Sequence, residues 1–281
     1  MFFINRFLVL AVLCLVVVQA ATAANYVLGI GAAVDTEDAI AITAFGDLEL
    51  REDTWLSASV GSTETEALVS GFETRFYDFG IDHFLDPIGL RLSGAYWGDS
   101  DILDSSDVRA SVYFRDEIAS FSVDYERRNF DFVFTNPFTD ERRQATFHAE
   151  GWGMTNRVQL HDSFSVRLSG MQYEYSRRIN LEPNIDVLRF LSASRLSLMN
   201  SLIDYRISAG MEYRFGLRAI DLSLGTWKTA VDQGKVDSIS LGFLTPLSDR
   251  TDVEMRLSFD DSENFGRTTA FTVYLYYFGG N

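Results

Sequence analysis

The stretch "IDYRISAGMEYRF", Ile203 to Phe215, alternates without a break. Its odd positions, Ile203, Tyr205, Ile207, Ala209, Met211, Tyr213 and Phe215, are apolar, while its even ones, Asp204, Arg206, Ser208, Gly210, Glu212 and Arg214, are charged or small. A period of two belongs to a β-strand whose two faces meet different surroundings.

The same grammar recurs along the chain. Val253, Met255, Leu257 and Phe259 oppose Asp252, Glu254, Arg256, Ser258 and Asp260, and Ile88, Leu90, Leu92 and Tyr96 oppose Arg91, Ser93 and Trp97. Val108, Ala110, Val112 and Phe114 oppose Arg109, Ser111 and Arg115. Phe121, Val123 and Tyr125 oppose Ser120, Ser122, Asp124 and Glu126, and Ile40, Ile42, Ala44, Leu48 and Leu50 oppose Thr43, Asp47, Glu49 and Arg51. In "SVRLSGMQY", from Ser165, the apolar set runs Val166, Leu168 and then switches to Met171 and Tyr173, which predicts a β-bulge at Gly170.

Connections come in two kinds. Tight turns are read at 51–53, 115–117, 161–163, 216–217 and 247–250, with 82–87 slightly longer. Longer polar connections are read at 35–38, 62–65, 98–107, 136–143, 177–200, 232–235 and 261–266. Between them lie strands at 26–34, 39–50, 54–61, 66–79, 88–97, 107–114, 117–133, 144–160, 163–176, 201–215, 217–229, 235–246, 251–260 and 266–278. That is an up-and-down antiparallel meander of about 14 strands. The segment "NIDVLRFLSASRLSLMNS", Asn184 to Ser201, reads as an amphipathic loop helix or as another hairpin, which opens the range to roughly 12 to 16.

Residues 1–24 read as a secretory signal peptide: Arg6 supplies the positive charge, Phe7 to Val18 the apolar stretch, and Ala21-Thr22-Ala23 the cleavage site. Residues 25–281 carry no linker or break in composition and read as a single domain. The one cysteine, Cys14, lies in the signal, so the exported chain is expected to fold without disulfides or thiolate metal sites. A net charge of −16 argues against nucleic-acid partners. After the signal no apolar stretch is long enough for a helical membrane span.

A soluble sandwich alternates too, so the choice between sandwich and membrane barrel rests on further features. Tyr96, Tyr125, Tyr173, Tyr213 and Phe215 sit near strand ends, where interfacial girdles lie, and the polar faces carry carboxylates and guanidiniums in mid-strand. The final strand, "TTAFTVYLYYF" ending at Phe278, resembles the aromatic-rich terminal strand that the barrel-assembly machinery reads, apart from Val273 and the Gly279-Gly280-Asn281 extension. On these features the chain resembles the Gram-negative outer-membrane β-barrel superfamily, especially its monomeric, mid-sized, porin-like members. The resemblance implies an all-β transmembrane barrel exported to the outer membrane, in contact with its lipids.

No catalytic constellation stands out. His161-Asp162-Ser163 is similar to the His-x-Ser of outer-membrane phospholipase A and the lipid A deacylases, but it falls in a tight turn and reads as turn chemistry. His148 lies two residues from Glu150, and His83 near Asp82 and Asp86, without the further ligands zinc needs. The acidic run "DSDILDSSD", Asp99 to Asp107, lacks the glycine and spacing of a calcium loop and reads as a solvated loop. No catalytic residue, metal or cofactor is assigned.

The informative set is the polar face: Asp47, Glu49, Arg51, Glu73, Arg75, Arg91, Arg109, Asp124, Glu126, Arg167, Asp204, Arg206, Glu212, Arg214, Asp221, Glu254 and Arg256. If the apolar faces meet lipid, these line a lumen and screen solutes by charge and size. The expectation is a porin-like channel for passive diffusion of small hydrophilic solutes that favours cations. The alternatives are a non-conducting structural or adhesion barrel, in which the same groups pair and fill the interior, and an outer-membrane lipid hydrolase.

Overall fold

Alternation along each strand becomes a wall with two faces. In a computed structural model, which describes residues 25–66, 71–135, 142–177, 202–230, 233–264 and 266–280, the chain forms fourteen strands. They are β1 (Tyr26–Asp35), β2 (Ala39–Arg51), β3 (Thr54–Glu66), β4 (Gly71–Leu85), β5 (Ile88–Asp99), β6 (Leu103–Arg115) and β7 (Ala119–Thr135), followed by β8 (Arg142–His161), β9 (Phe164–Tyr175), β10 (Ile203–Phe215), β11 (Arg218–Thr229), β12 (Lys235–Ser248), β13 (Thr251–Ser262) and β14 (Gly266–Gly279). Each pairs antiparallel with its sequence neighbours, and β1 pairs with β14, so the ring closes without a free edge. This is an up-and-down transmembrane β-barrel fold. The signal peptide read at 1–24 and the segment Asn184–Ser201 lie outside the described residues.

Three local readings are corrected. β3 runs on to Glu66, so the connection placed at 62–65 is strand, and β4 reaches Leu85. β5 continues to Asp99 and β6 starts at Leu103, which reduces the acidic loop at 98–107 to a turn. Polar residues carry the same backbone donors and acceptors as apolar ones, so cross-strand pairing extends beyond the apolar band. There is no bulge at Gly170: it pairs with Met154 on β8 and Ile207 on β10 in unbroken register. Met171 and Tyr173 therefore share the face of Arg167 and Ser169, and apolar side chains stand inside the barrel.

The tight turns lie at the end of the barrel that holds both termini. Asp53 (φ 66°) and Gly216 (φ 63°) adopt the left-handed conformation that lets a strand reverse in a few residues. In the β6–β7 turn, Asp116 Oδ1 accepts the N–H groups of Ile118 and Ala119 at 2.8 and 2.7 Å. Those two bonds hold its carboxyl below the usual carboxylate range.

Outside, Ile207, Leu224, Leu241 and Phe259 are all exposed, a large apolar surface that water would penalise and lipid accepts. Two outward aromatic pairs, Tyr77 with Tyr96 (6.0 Å between ring centres) and Tyr125 with Trp152 (4.8 Å), mark the side of this band nearer the long connections.

Inside, aromatic rings cover glycines directly across the strand pair. Phe45 faces Gly29, Tyr274 faces Gly31, Tyr113 faces Gly89 and Tyr173 faces Gly151. At each of these glycines the ring occupies the space a Cβ would take. Gly31 and Tyr274 lie on β1 and β14, so this packing helps close the ring. Gly31→Val is expected to cost about 1–3 kcal/mol by overpacking. Denaturant unfolding of the refolded barrel checks it, and an unchanged midpoint would show that the ring moves aside freely.

Candidate functional site

The wall encloses a cavity of about 1580 Å³. Its two sides differ chemically because strand sequences far apart in the chain supply them. From β11 through β14 to β3 small hydroxylated residues predominate, Ser223, Ser238, Ser240, Ser258, Thr272, Thr43 and Ser57, with Arg256 and Asp47 among them. From β4 to β7 the lining is charged.

Arg109 on β6 is the centre of that charged side. Its Nε donates to Glu126 Oε1 at 2.7 Å, Nη1 to Asp78 Oδ2 at 3.0 Å, and Nη2 to Asp107 Oδ2 at 3.4 Å. Arg128 adds a second guanidinium, 3.3 Å from Asp107 and stacked over the Phe130 ring at 4.8 Å. Tyr173 donates its hydroxyl to Glu126 Oε2 at 2.5 Å across three strands. Nearer the termini, Asp82 accepts from Arg91 Nε at 2.8 Å and from the Tyr113 hydroxyl at 2.5 Å. Arg115 caps the Phe84 ring at 4.3 Å, and Phe84 stacks on Tyr113. Each carboxylate in these groups is answered by a guanidinium or a hydroxyl, so the charges stay fixed in place.

Toward the long connections, the inward positions of β5 to β10 turn apolar. Trp97, Leu103, Phe130, Phe132, Phe147, Tyr173, Leu202 and Ile203 form one buried cluster, with Phe130 wholly inaccessible. Phe130 and Phe147 stack at 5.0 Å.

No family model and no curated protein sequence matches this chain. Among solved structures it is similar to the CymD monoaromatic hydrocarbon channel, with a TM-score of 0.53 at 10% identity over 94% of this chain and 90% of that one. The chain has the fold of the outer-membrane porins and channels. Other similar porin-type barrels include the NanC porin (TM-score 0.49, 7% identity, 89% of this chain and 98% of that one). A loop-deletion form of OmpT, an outer-membrane protein of Vibrio cholerae, is similar too (TM-score 0.48, 7% identity, 90% and 98%).

Within the barrel, Asp47, Arg91, Arg109, Asp124, Glu126, Arg206 and Arg256 line the cavity. Glu212 receives Arg157 and Arg214, and Arg256 bridges Asp221 and Glu254, the latter also bound by the Tyr276 hydroxyl. Glu49 lies near the termini, where it accepts from Asn25. Arg167 lies over Gly210, and Asp204 falls at the register irregularity that opens β10. Arg51 follows the register break between Glu49 and Arg51, exposed at a turn.

Glu73 and Arg75 are corrected. Thr74, Phe76, Asp78, Asp82 and Phe84 line the cavity, which places the alternate residues Glu73 and Arg75 on the outer face, 3.3 Å apart from one another. The phase of β4 was obscured because Phe76 and Tyr77 are both aromatic, so its two faces look alike in sequence. The same phase error hides Asp78, while Asp82 reads as part of the connection at 82–87. Asp107 and Arg128 were missed as partners because the "DSSD" stretch reads as loop rather than strand.

His161 and Ser163 sit in the exposed β8–β9 turn, where the Ser163 N–H donates to His161 Nδ1 at 3.3 Å. His148 and Glu150 lie on the outer face, where Arg127 takes Glu150 at 3.3 Å. His83 accepts or donates at Thr54 Oγ1, 2.8 Å away.

Proposed function

We propose that the chain is an outer-membrane channel for passive diffusion of small hydrophilic solutes, and that it favours cations. It has no catalytic role in this reading, and its partners are the surrounding lipids, the assembly machinery during biogenesis and the diffusing solutes. The observation that carries the reading is the cavity inside the wall, with fixed, paired charges concentrated on β4 to β7 and small hydroxyls predominating around the rest. Paired charges do not collapse into the pathway, and hydroxyls exchange hydrogen bonds with a passing hydrated solute at little cost.

Cation preference is supported by charge. Six carboxylates and five guanidiniums line the cavity, and the chain as a whole carries −16. Fixed negative charge raises the local cation concentration over roughly a Debye length, about 30 Å at 0.01 M salt and 8 Å at 0.15 M. The expected result is ohmic conductance in planar bilayers with K⁺ favoured over Cl⁻ at low salt, the preference fading as salt rises. A folded barrel that carries no current overturns the channel and leaves the second reading, a closed structural barrel. The buried aromatic cluster around Phe130, which fills part of the interior, is the observation that favours that alternative.

A further inference from the structure

Most inward guanidiniums of the wall are committed: Arg109, Arg128, Arg157, Arg214 and Arg256 all hold carboxylates. Arg167 on β9 and Arg206 on β10 differ, for among the described residues neither makes a direct ion pair with a carboxylate, and Asp221, whose charge reaches Arg167, is bonded to Arg256 instead. The single hydrogen bond of Arg206 there goes to the thioether of Met171 at 3.9 Å. The acids nearest along this wall are occupied, Glu212 by Arg157 and Arg214, and Asp221 by Arg256 at 3.0 Å.

The surroundings of these two cations are built for oxygen-rich groups. Arg206 pairs with Met171 and Arg167 with Gly210, an offset of four positions, about 13 Å along the strands. Between them the Ser169 and Ser208 hydroxyls face each other at 2.7 Å, with Ser223 beside them on β11. Gly210 leaves the wall bare under the Arg167 guanidinium. Trp227, directly across from Arg206, lines the cavity with aromatic surface.

We infer that Arg167 and Arg206, with the serines between them, form a binding subsite for a small polyhydroxylated carboxylate, a solute of the sugar-acid class. A guanidinium grips a carboxylate through two parallel hydrogen bonds, a geometry chloride cannot match. The serines exchange bonds with the solute's hydroxyls, and the ring's C–H face rests on the indole. The net negative charge of the chain does not bar such an anion at physiological salt, where its field is screened beyond about 8 Å. The inference rests on the lumen being a solute pathway, and it specifies the solute.

The test is isothermal titration of the refolded, detergent-solubilised full barrel with D-glucuronate and, separately, D-glucose, alongside bilayer conductance. Glucuronate is expected to bind at least tenfold more tightly than glucose. Arg206→Gln and Arg167→Gln, both exposed side chains whose heat-modifiable gel migration confirms folding, are each expected to weaken it about tenfold or more. Equal binding of the two sugars, or glutamine variants that bind as the parent does, overturns the subsite. Conductance without glucuronate binding removes the subsite and keeps the channel; binding without conductance does the reverse.

Discussion

Arg128→Met is expected to destabilise the folded barrel by roughly 3 kcal/mol. Asp107 and Arg128 are 3.3 Å apart with side chains only 1% and 5% exposed, so removing the guanidinium leaves a carboxylate in a site that water scarcely reaches. Breaking one member out of a buried pair costs about 3–5 kcal/mol, because the remaining charge keeps its desolvation penalty and loses its compensation. The lower end applies because Arg109 remains 3.4 Å from Asp107. Adding Asp107→Asn to Arg128→Met removes the stranded charge and is expected to recover at least half of the loss. Denaturant unfolding from lipid vesicles reads both; a single variant within about 1 kcal/mol of the parent would mean that water reaches Asp107 freely.

A second large effect separates the two faces of a single strand. Leu224→Arg, at the middle of β11 on the exposed apolar side, is expected to cost about 2–4 kcal/mol, the penalty for a guanidinium at bilayer mid-depth. Ser223→Arg, one residue away, points into the cavity, where water and nearby acids receive the charge. Its expected cost is under about 1 kcal/mol, with a reduced conductance in place of lost stability. The informative measurement is the difference between the two variants in vesicles. Equal penalties would mean that the two faces do not meet different solvents.

Much of this was written in the alternation itself. Ile203 to Phe215 showed that one strand had two surroundings, and the repeated pattern from Ile40, Ile88, Val108, Phe121 and Val253 extended that to a wall. The spacing of turns set the strand count, since a meander needs a reversal after every crossing. Where both faces of a strand looked alike, the reading lost its phase. Glu73 and Arg75 read as inward because Phe76 and Tyr77 are both aromatic, and a one-residue error in phase sends every side chain to the opposite face. Met171 and Tyr173 suggest a bulge only if every apolar residue faces lipid, whereas part of this interior is aromatic.

The pairing of charges lay beyond the sequence for a different reason. Arg109, Asp78, Glu126 and Tyr173 come from β6, β4, β7 and β9, and their bonds depend on cross-strand register and on the reach of each side chain. Neither quantity has a signature along the chain. The same holds for Arg167 and Arg206, which look in sequence like any other inward arginine and become distinctive only once the remaining guanidiniums are seen to be engaged. Hydrophobic periodicity is a local property of each strand, so the sequence alone determined the existence of the wall, its strands and its two solvents. Which charges neutralise one another, which guanidiniums stay out of those pairs, and which aromatics turn inward are set by neighbours distant in sequence, and only the closed barrel decided them.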